Sequence, residues 1–408
     1  MLARPAPRLN VSKALLVSAL VIRSFEELKV GCARPCEEAM KTEGATTEDG
    51  ALTFKQGQKF GQWRVCTKVD EGGFGQVYKV ESLKEKGRFA ALKAESNEVE
   101  GGSAIKLEIA IMLMLNRKGD KPHIPVVLHS AKRKRYCYMI VTLLGDNIRT
   151  LKMANKDDKL SISTWSKIGI QCLYSLKLLH DCGFVHRDVK PANFVMGHPM
   201  DGDRARLVHL LDFGLARNFA VEKSNGCWVA RRARGTAEFR GTVRYCSPSM
   251  HEKKEQGRKD DLWSWLYMLI ECHCCLPWQF DRDREKIENK KLNIADDALC
   301  KNFPEELSGI PKYLRTLDCY SRPDYTMLHN CLLDLMKKNN VKYTDKYDWE
   351  TDLTCSQSLK KQTKAPVYEN AAEFFASDPV KINEAPPQGK DVKGNTTIED
   401  LDAFFKIA

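Results

Sequence analysis

The residues with the most chemical content stand together as His186-Arg187-Asp188-Val189-Lys190-Pro191-Ala192-Asn193, with Asp212-Phe213-Gly214 beginning nineteen residues past Asn193. Phosphoryl transfer to a hydroxyl needs a carboxylate at the acceptor, cations along the phosphates and hard oxygen ligands for magnesium. Asp188 suits the first role, Lys190 the second, and Asn193 with Asp212 the third. Upstream, Ala91-Leu92-Lys93 offers a further cation, and Glu108 a carboxylate to hold it. The stretch Val69-Asp70-Glu71-Gly72-Gly73-Phe74-Gly75-Gln76-Val77 is a glycine-rich turn whose backbone amides could lie against phosphate oxygens. Alone, a glycine-rich hairpin is usually just a turn and a strand lysine a solvated edge. The order and spacing of all these parts along one chain make coincidence a poor account of them.

The elements that must hold these residues can be read from periodicity. Trp63 to Val69, Val77 to Val80 and Phe89 to Lys93 have strand character and read as an antiparallel meander. Ser103 is the expected cap of a helix reaching about Asn116, with Ile105, Ile109, Met112 and Leu113 on one face. Strands follow near Val126 to His129 and Tyr136 to Thr142, joined by Lys132-Arg133-Lys134-Arg135, a turn read as a solvated basic face. The second half is mostly helical. Thr164 to Cys182 carries Ile168, Cys172, Ser175 and Leu179 in one stripe before Gly183, and Leu262 to Cys275 is apolar nearly all round. A small β-rich lobe with one main helix, followed by a larger helical lobe, is the expected α+β architecture.

Composition narrows the class. With 43% hydrophobic and 29% charged residues in 408, a disordered, collagenous or multi-span membrane chain is excluded. The formal charge is +11, and residues 53–350 alone carry +13, so an acidic partner is expected, whether nucleic acid, membrane, phosphate or acidic protein. The fifteen cysteines lack the paired spacings of a disulfide framework, which favours a reducing compartment, the cytoplasm with the nucleus as a second location. Cys272-His273-Cys274-Cys275 is read as small residues on a buried helix, since neighbours about 100° apart cannot close a metal tetrahedron. The nine-residue apolar run Ala14 to Ile22 is too short for a bilayer and is read as part of a flexible or helical arm, residues 1–52, with a signal or transit sequence as the alternative. Residues 351–408 turn polar and proline-bearing and are expected to form a disordered tail with a short amphipathic helix near Leu401 to Ile407.

Over roughly residues 53 to 350 the chain resembles a eukaryotic protein kinase, with an N-lobe over about 53–142 and a C-lobe over about 146–350. Lys190, two residues after Asp188, is similar to the serine/threonine branch. Phe239-Arg240-Gly241-Thr242-Val243-Arg244-Tyr245, Asp260-Asp261-Leu262-Trp263-Ser264, Leu276-Pro277-Trp278 and Ser321-Arg322-Pro323-Asp324-Tyr325 resemble the casein kinase I group, and within it the tau-tubulin kinase branch, nematode-like members in particular. The resemblance implies a two-lobed fold binding ATP and Mg2+ in the cleft, with Asp188 as base, Lys190 on the transferred group, Lys93 held by Glu108, and Asn193 and Asp212 on magnesium. It also implies Val69, Gly72, Gly73, Phe74, Gly75, Val77 and Ala91 around the nucleotide, Val141 as gatekeeper, Thr142 and Leu144 meeting adenine through their backbones, and Asp261 holding the catalytic loop.

Three departures stand out. Asp70 replaces the usual first loop glycine and sets a carboxylate near the phosphates. Ser247-Pro248-Ser249 replaces the usual Ala-Pro-Glu, leaving Arg322 without the glutamate partner of most kinases, as in the members this chain resembles. Arg231, Arg232 and Arg234, helped by Arg240 and Arg244, read either as a solvated loop or as an anion site for acidic or phosphorylated protein substrates, because guanidinium forks suit phosphate oxygens. The expected activity is transfer of the γ-phosphate of Mg-ATP to protein serine or threonine by a monomer, without a specific nucleic acid or a membrane span. The alternatives are a pseudokinase scaffold, motivated by Asp70 and the missing glutamate, and a nucleic-acid-binding protein, which has the charge but no recognition motif.

Overall fold

The structure, a computed structural model, describes residues 45–46, 52–72, 75–98, 104–223 and 225–384. The apolar run at 14–22, Gly73, Phe74, the expected cap Ser103 and the stretch 401–407 lie outside them.

The first lobe is a six-stranded antiparallel sheet in the order β1-β2-β3-β4-β6-β5. Its strands are β1 (Lys59–Phe60), β2 (Trp63–Gly72), β3 (Gly75–Ser82), β4 (Phe89–Ser96), β5 (Val127–Lys132) and β6 (Tyr136–Thr142), with helix α1 (Ala104–Leu115) between β4 and β5. Along β3 burial alternates residue by residue, the signature of a strand with one covered face. Every residue of β6 is buried, as a strand flanked on both edges and covered on both faces must be. One cover is the helix, which buries Ile105, Glu108, Ile109, Met112 and Leu115. Elsewhere in the lobe Phe54, Phe60, Tyr78, Tyr136 and Tyr138 form an aromatic group with ring centres 4.8 to 6.5 Å apart.

The second lobe is built on three helices. After β7 (Leu144–Asn147) comes α2 (Ile162–His180), capped by the Ser161 hydroxyl and buried along almost its whole length. It stops two residues before the cysteine expected at its end, because Gly183 follows with φ +81° and turns the chain into β8 (Phe184–Val185). The short strands β9 (Phe194–Gly197), β10 (Val208–Leu210), β11 (Arg217–Asn218), β12 (Ala220–Glu222) and β13 (Trp228–Ala230) precede α3 (Arg258–His273) and α4 (Tyr325–Lys338). Two tryptophans tie α2 to α3: Trp165 donates to the Leu269 carbonyl at 2.8 Å and Trp265 to that of Gly169 at 3.2 Å. A Cβ at Gly169 would stand 3.2 Å from both Leu332 methyls, so the absent side chain lets α2 and α4 meet. The two-lobed α+β arrangement is thus present.

One expectation needs correction. Residues 352–384 are not a disordered tail: they form α5 (Asp352–Lys361), α6 (Ala372–Ala376) and β14 (Ile382–Glu384), and bury Tyr368, Phe375 and Val380 on the second lobe. Pro366 and Pro379, which read as disorder, lie between short elements whose apolar residues find partners far away in sequence. Among the described residues no helix is long and apolar enough to cross a membrane.

Candidate active site

The segment His186 to Asn193 leaves β8, closes in a 3-10 turn at Pro191–Asn193 and enters β9. Asp261 of α3 fixes its start. One carboxylate oxygen accepts from the His186 N–H at 2.7 Å and from the His180 ring at 2.9 Å, the other from the Arg187 N–H at 2.8 Å. Burial raises this carboxyl, but His180 and the His186 N–H outweigh it and hold the group below the usual carboxylate range. Arg187 sits at φ +68° and donates from Nε to the Leu215 carbonyl at 2.7 Å. Such a backbone is uncommon for arginine, and the Asp261 bonds are what over-determine it.

Asp188 is buried at the bottom of the cleft. Its carboxylate accepts from the Thr242 hydroxyl at 2.7 Å and is ion-paired with Lys190, while Asn193 donates from Nδ2 to the Asp188 carbonyl at 2.9 Å. That bond directs the Asn193 Oδ1 the other way. The Leu211 N–H binds the Asn193 carbonyl at 2.9 Å, so the strand leading to Asp212 is pinned to the same turn. Asp212 has φ +67°, and Gly214 beside it lies against the start of α1, where a Cβ would be 2.9 Å from the Ala104 methyl.

Across the cleft, Lys93 on β4 stands opposite Val77 and Met139, and its ammonium meets Glu108 of α1 at 2.5 Å. Burial pushes the Glu108 carboxyl up to about 7, with Lys93 pulling it down and Asp212 adding to the rise. Burial works against the Lys93 charge, yet Glu108 and Asp212 lift its pKa above the ordinary value. Glu108 thus holds the Lys93 ammonium directly while Asp212 adds negative charge from nearby, an arrangement that suits an additional cation.

A cavity of about 440 Å³ opens at the inter-lobe hinge, lined by Val69, Leu144, Gly145 and Asp146 and reaching Trp349, Thr354 and Ser358. Ala91 is buried opposite Val141 on β6, and Thr142 pairs with Ala90. Gly72 pairs with Gly75 at the end of the β2–β3 hairpin, and Asp70 with Val77. Gly75 is at φ +116°, where a Cβ would lie 2.3 Å from the Ala94 carbonyl oxygen; no other residue fits there. Trp349, Thr354 and Ser358 carry no motif that could have announced them, and Thr242 gave no sign beyond its place in a longer pattern that it would reach Asp188.

The arginines are less free than an open anion site requires. Arg234 forks onto Glu255 at 2.6 and 2.8 Å, Arg231 donates to Asn218, Arg240 pairs with Glu238 at 2.8 Å and Arg244 with Glu271 at 2.9 Å. Arg232 is exposed and has no such partner among the described residues. Positive charge is nonetheless in excess around Glu255. Burial and the neighbouring guanidiniums push both Arg187 and Arg217 down to about 10.

The protein kinase domain family matches residues 63–338. The chain is similar to a Caenorhabditis elegans protein whose name places it among the serine/threonine-protein kinases, 38% identical over 346 residues, which is 83% of this chain and 96% of that protein. It is similar to an inactive tau-tubulin kinase of the same organism, 37% identical over 69% of this chain and 97% of the relative, and to a further serine/threonine-protein kinase of that worm, 31% identical over 71% and 76%.

Proposed function

Since the chain belongs to the protein kinase family, we propose that it is an active serine/threonine kinase that transfers the γ-phosphate of ATP to protein hydroxyls. The observation that carries this reading is the Asp188 carboxylate, held by Thr242 and Lys190 at the cleft floor with Asn193, Asp212 and the Lys93–Glu108 pair converging on the same space. Asp188 orients the acceptor hydroxyl and takes its proton. Lys190 and Lys93 lie along the phosphates, and Glu108 keeps Lys93 from swinging out. Asn193 and Asp212 offer the hard oxygen donors that magnesium prefers, and the tethered Nδ2 of Asn193 leaves its Oδ1 for that use. When bound, magnesium neutralises charge on the transferring phosphoryl group. Val69, Gly72, Gly73, Phe74, Gly75, Val77, Ala91, Thr142 and Leu144 would enclose the nucleotide.

The finer placement, in the casein kinase I group near the tau-tubulin kinases, rests on the motifs at Phe239 to Tyr245 and Ser321 to Tyr325 and on one relative's name. The preference for acidic or primed substrates is supported by the surplus of arginine around Glu255. A monomer is proposed because all the groups named come from one chain, and a cytoplasmic or nuclear location from cysteine spacing. The second reading, a scaffold without turnover, is favoured by the relative named inactive. Transfer of labelled phosphate from Mg-ATP to casein and to a phosphoserine-primed peptide separates the two. The expected result is label on serine or threonine that falls by about a thousandfold or more in Asp188→Asn. ATP binding by the wild type without transfer would establish the scaffold.

A further inference from the structure

The family match ends at residue 338, yet the chain beyond it closes onto the lobe that carries Asp188. Phe375 of α6 is fully buried, its ring 4.5 Å from that of His329 on α4, and Phe374 stacks at 4.0 Å on Tyr174 of α2. Lys177 of α2 pairs with Asp181 at 2.6 Å, lies 4.4 Å from the Phe374 ring centre and donates to the Ser377 hydroxyl at 3.1 Å. The segment is thus tied to α2 and α4 through Phe374, Phe375 and Ser377.

What it holds in turn is the stretch beside β8 and the β12–β13 hairpin. Arg322, deprived of a glutamate by Ser247-Pro248-Ser249, donates from Nη2 to the carbonyls of Phe375, Ala376 and Ser377 at 3.2, 3.4 and 2.8 Å, and its Nε faces Asp378 at 3.4 Å. One guanidinium thus caps the carbonyls that α6 leaves open. Three residues on, Val380 is buried in a small cluster with Val185, Phe219 and Ala220, with Trp228 and Ile382 packed against it. Val185 is the residue before His186; Phe219 and Ala220 lead into the β12–β13 hairpin, and the Arg258 guanidinium lies 4.5 Å from the Phe219 ring. The backbone then adds β14 as a parallel third strand on β13, Ile382 beside Trp228 and Glu384 beside Val229.

We propose that residues 371–384 are a positioning strap that sets the β12–β13 hairpin, and through it the seat of the protein substrate, with Arg322 and Val380 as its positioning residues. From β13 the chain runs through Arg231, whose N–H binds the Phe219 carbonyl at 2.8 Å, and Arg234 on Glu255 to Thr242 on Asp188. A hairpin fixed at both strands by an outside segment passes that order along the run. A cluster of so few apolar residues cannot absorb a charge, and a proline at 382 fixes φ near −65° and deletes a backbone donor where β14 begins. The seat as a substrate site rests on the kinase reading; the strap's hold on the hairpin does not.

The test uses full-length Val380→Asp and Ile382→Pro, the second in case the first fails to fold, with amide hydrogen exchange and peptide kinetics read on each. The expected result is exchange in residues 219–231 faster by about tenfold or more while α2, α3 and α4 keep their protection. Peptide KM rises on the order of tenfold with the KM for ATP within about twofold. Arg322→Lys, which keeps the charge but not the fork, falls between wild type and Arg322→Ala. Unchanged exchange in the hairpin of a folded variant overturns the strap whether or not any form transfers phosphate. Faster exchange with wild-type peptide KM overturns its role in substrate seating. Absence of turnover in wild type sinks the kinase reading alone.

Discussion

The cleft and the outer face of the second lobe are held by opposite means. In the cleft, charged groups face one another at short range, Asp188 with Lys190 and Glu108 with Lys93, and the Asp188 carboxylate is held further by the Thr242 hydroxyl. On the outer face the C-terminal segment is held chiefly by rings and aliphatic side chains, with Arg322 and Lys177 as its charged contacts. The first arrangement stores chemical potential at a price in desolvation, visible in the rise of Glu108. The second gains stability from the removal of apolar surface from water and has nothing to react with. Changes in the cleft should therefore read out as rate and changes to the rings packed on α2 and α4 chiefly as stability, while the strap's contacts with the β12–β13 hairpin read out in peptide KM.

The largest effect tests the stability half. Phe375→Ala removes a fully buried ring from between α2 and α4 and should destabilise by about 3–5 kcal/mol, measured by denaturant unfolding. The intrinsic rate of the molecules that remain folded should change far less than their number. If Phe375→Ala unfolds no more easily than wild type, the outer face is not packed as described.

The next tests the rate half. Glu108→Gln keeps the shape of the pair but removes its charge, and kcat/KM for ATP should fall by about ten- to a hundredfold, on the order of 1.4–2.7 kcal/mol. Its pH dependence follows from the raised pKa. As pH drops through about 7, Glu108 takes up a proton and releases Lys93, so the rate declines on the acid side. Stability runs the other way. A carboxyl whose pKa is higher folded than unfolded contributes fully below its ordinary value of 4.5, and that contribution is lost as pH rises through about 7. Glu108→Gln should flatten both profiles; an acid limb that survives intact would assign it to another group.

The same division explains what the sequence makes legible. The cleft is a matter of residue type at fixed spacing, and the strands that carry Lys93 and the helix that carries Glu108 fall where alternation and helical period place them. Asp261 on the loop also follows from the motif. Its second partner, His180, does not, because that contact joins the end of α2 to α3 across 81 residues. The C-terminal segment fails as a reading for the same reason. Tyr368, Phe374, Phe375 and Val380 are set among prolines and polar residues with neither period, and their partners at 174, 185 and 329 lie far upstream. Arg322 is the instructive residue: its missing glutamate is readable from Ser247-Pro248-Ser249, but the carbonyls that take its place are not.

The arginine run sits on the boundary between the two regions, and the smallest effect divides it. Arg234 forks onto Glu255, which also lies 3.8 Å from Arg217, so Arg234→Ala leaves a partly buried carboxylate with a weaker partner and should lower the melting temperature. Arg232 is exposed and unpaired among the described residues, so Arg232→Ala should leave the melting temperature where it is and reduce the ratio of rates on primed and unprimed peptides by about twofold, the scale of one solvent-screened charge. Replacing Arg231, Arg232 and Arg234 together mixes both outcomes, which is why the single variants are the sharper experiment. If Arg232→Ala leaves the ratio unchanged and Arg234→Ala lowers it without loss of stability, the guanidinium on Glu255 is the one that meets substrate. The boundary between chemistry and scaffold then moves outward to include that pair.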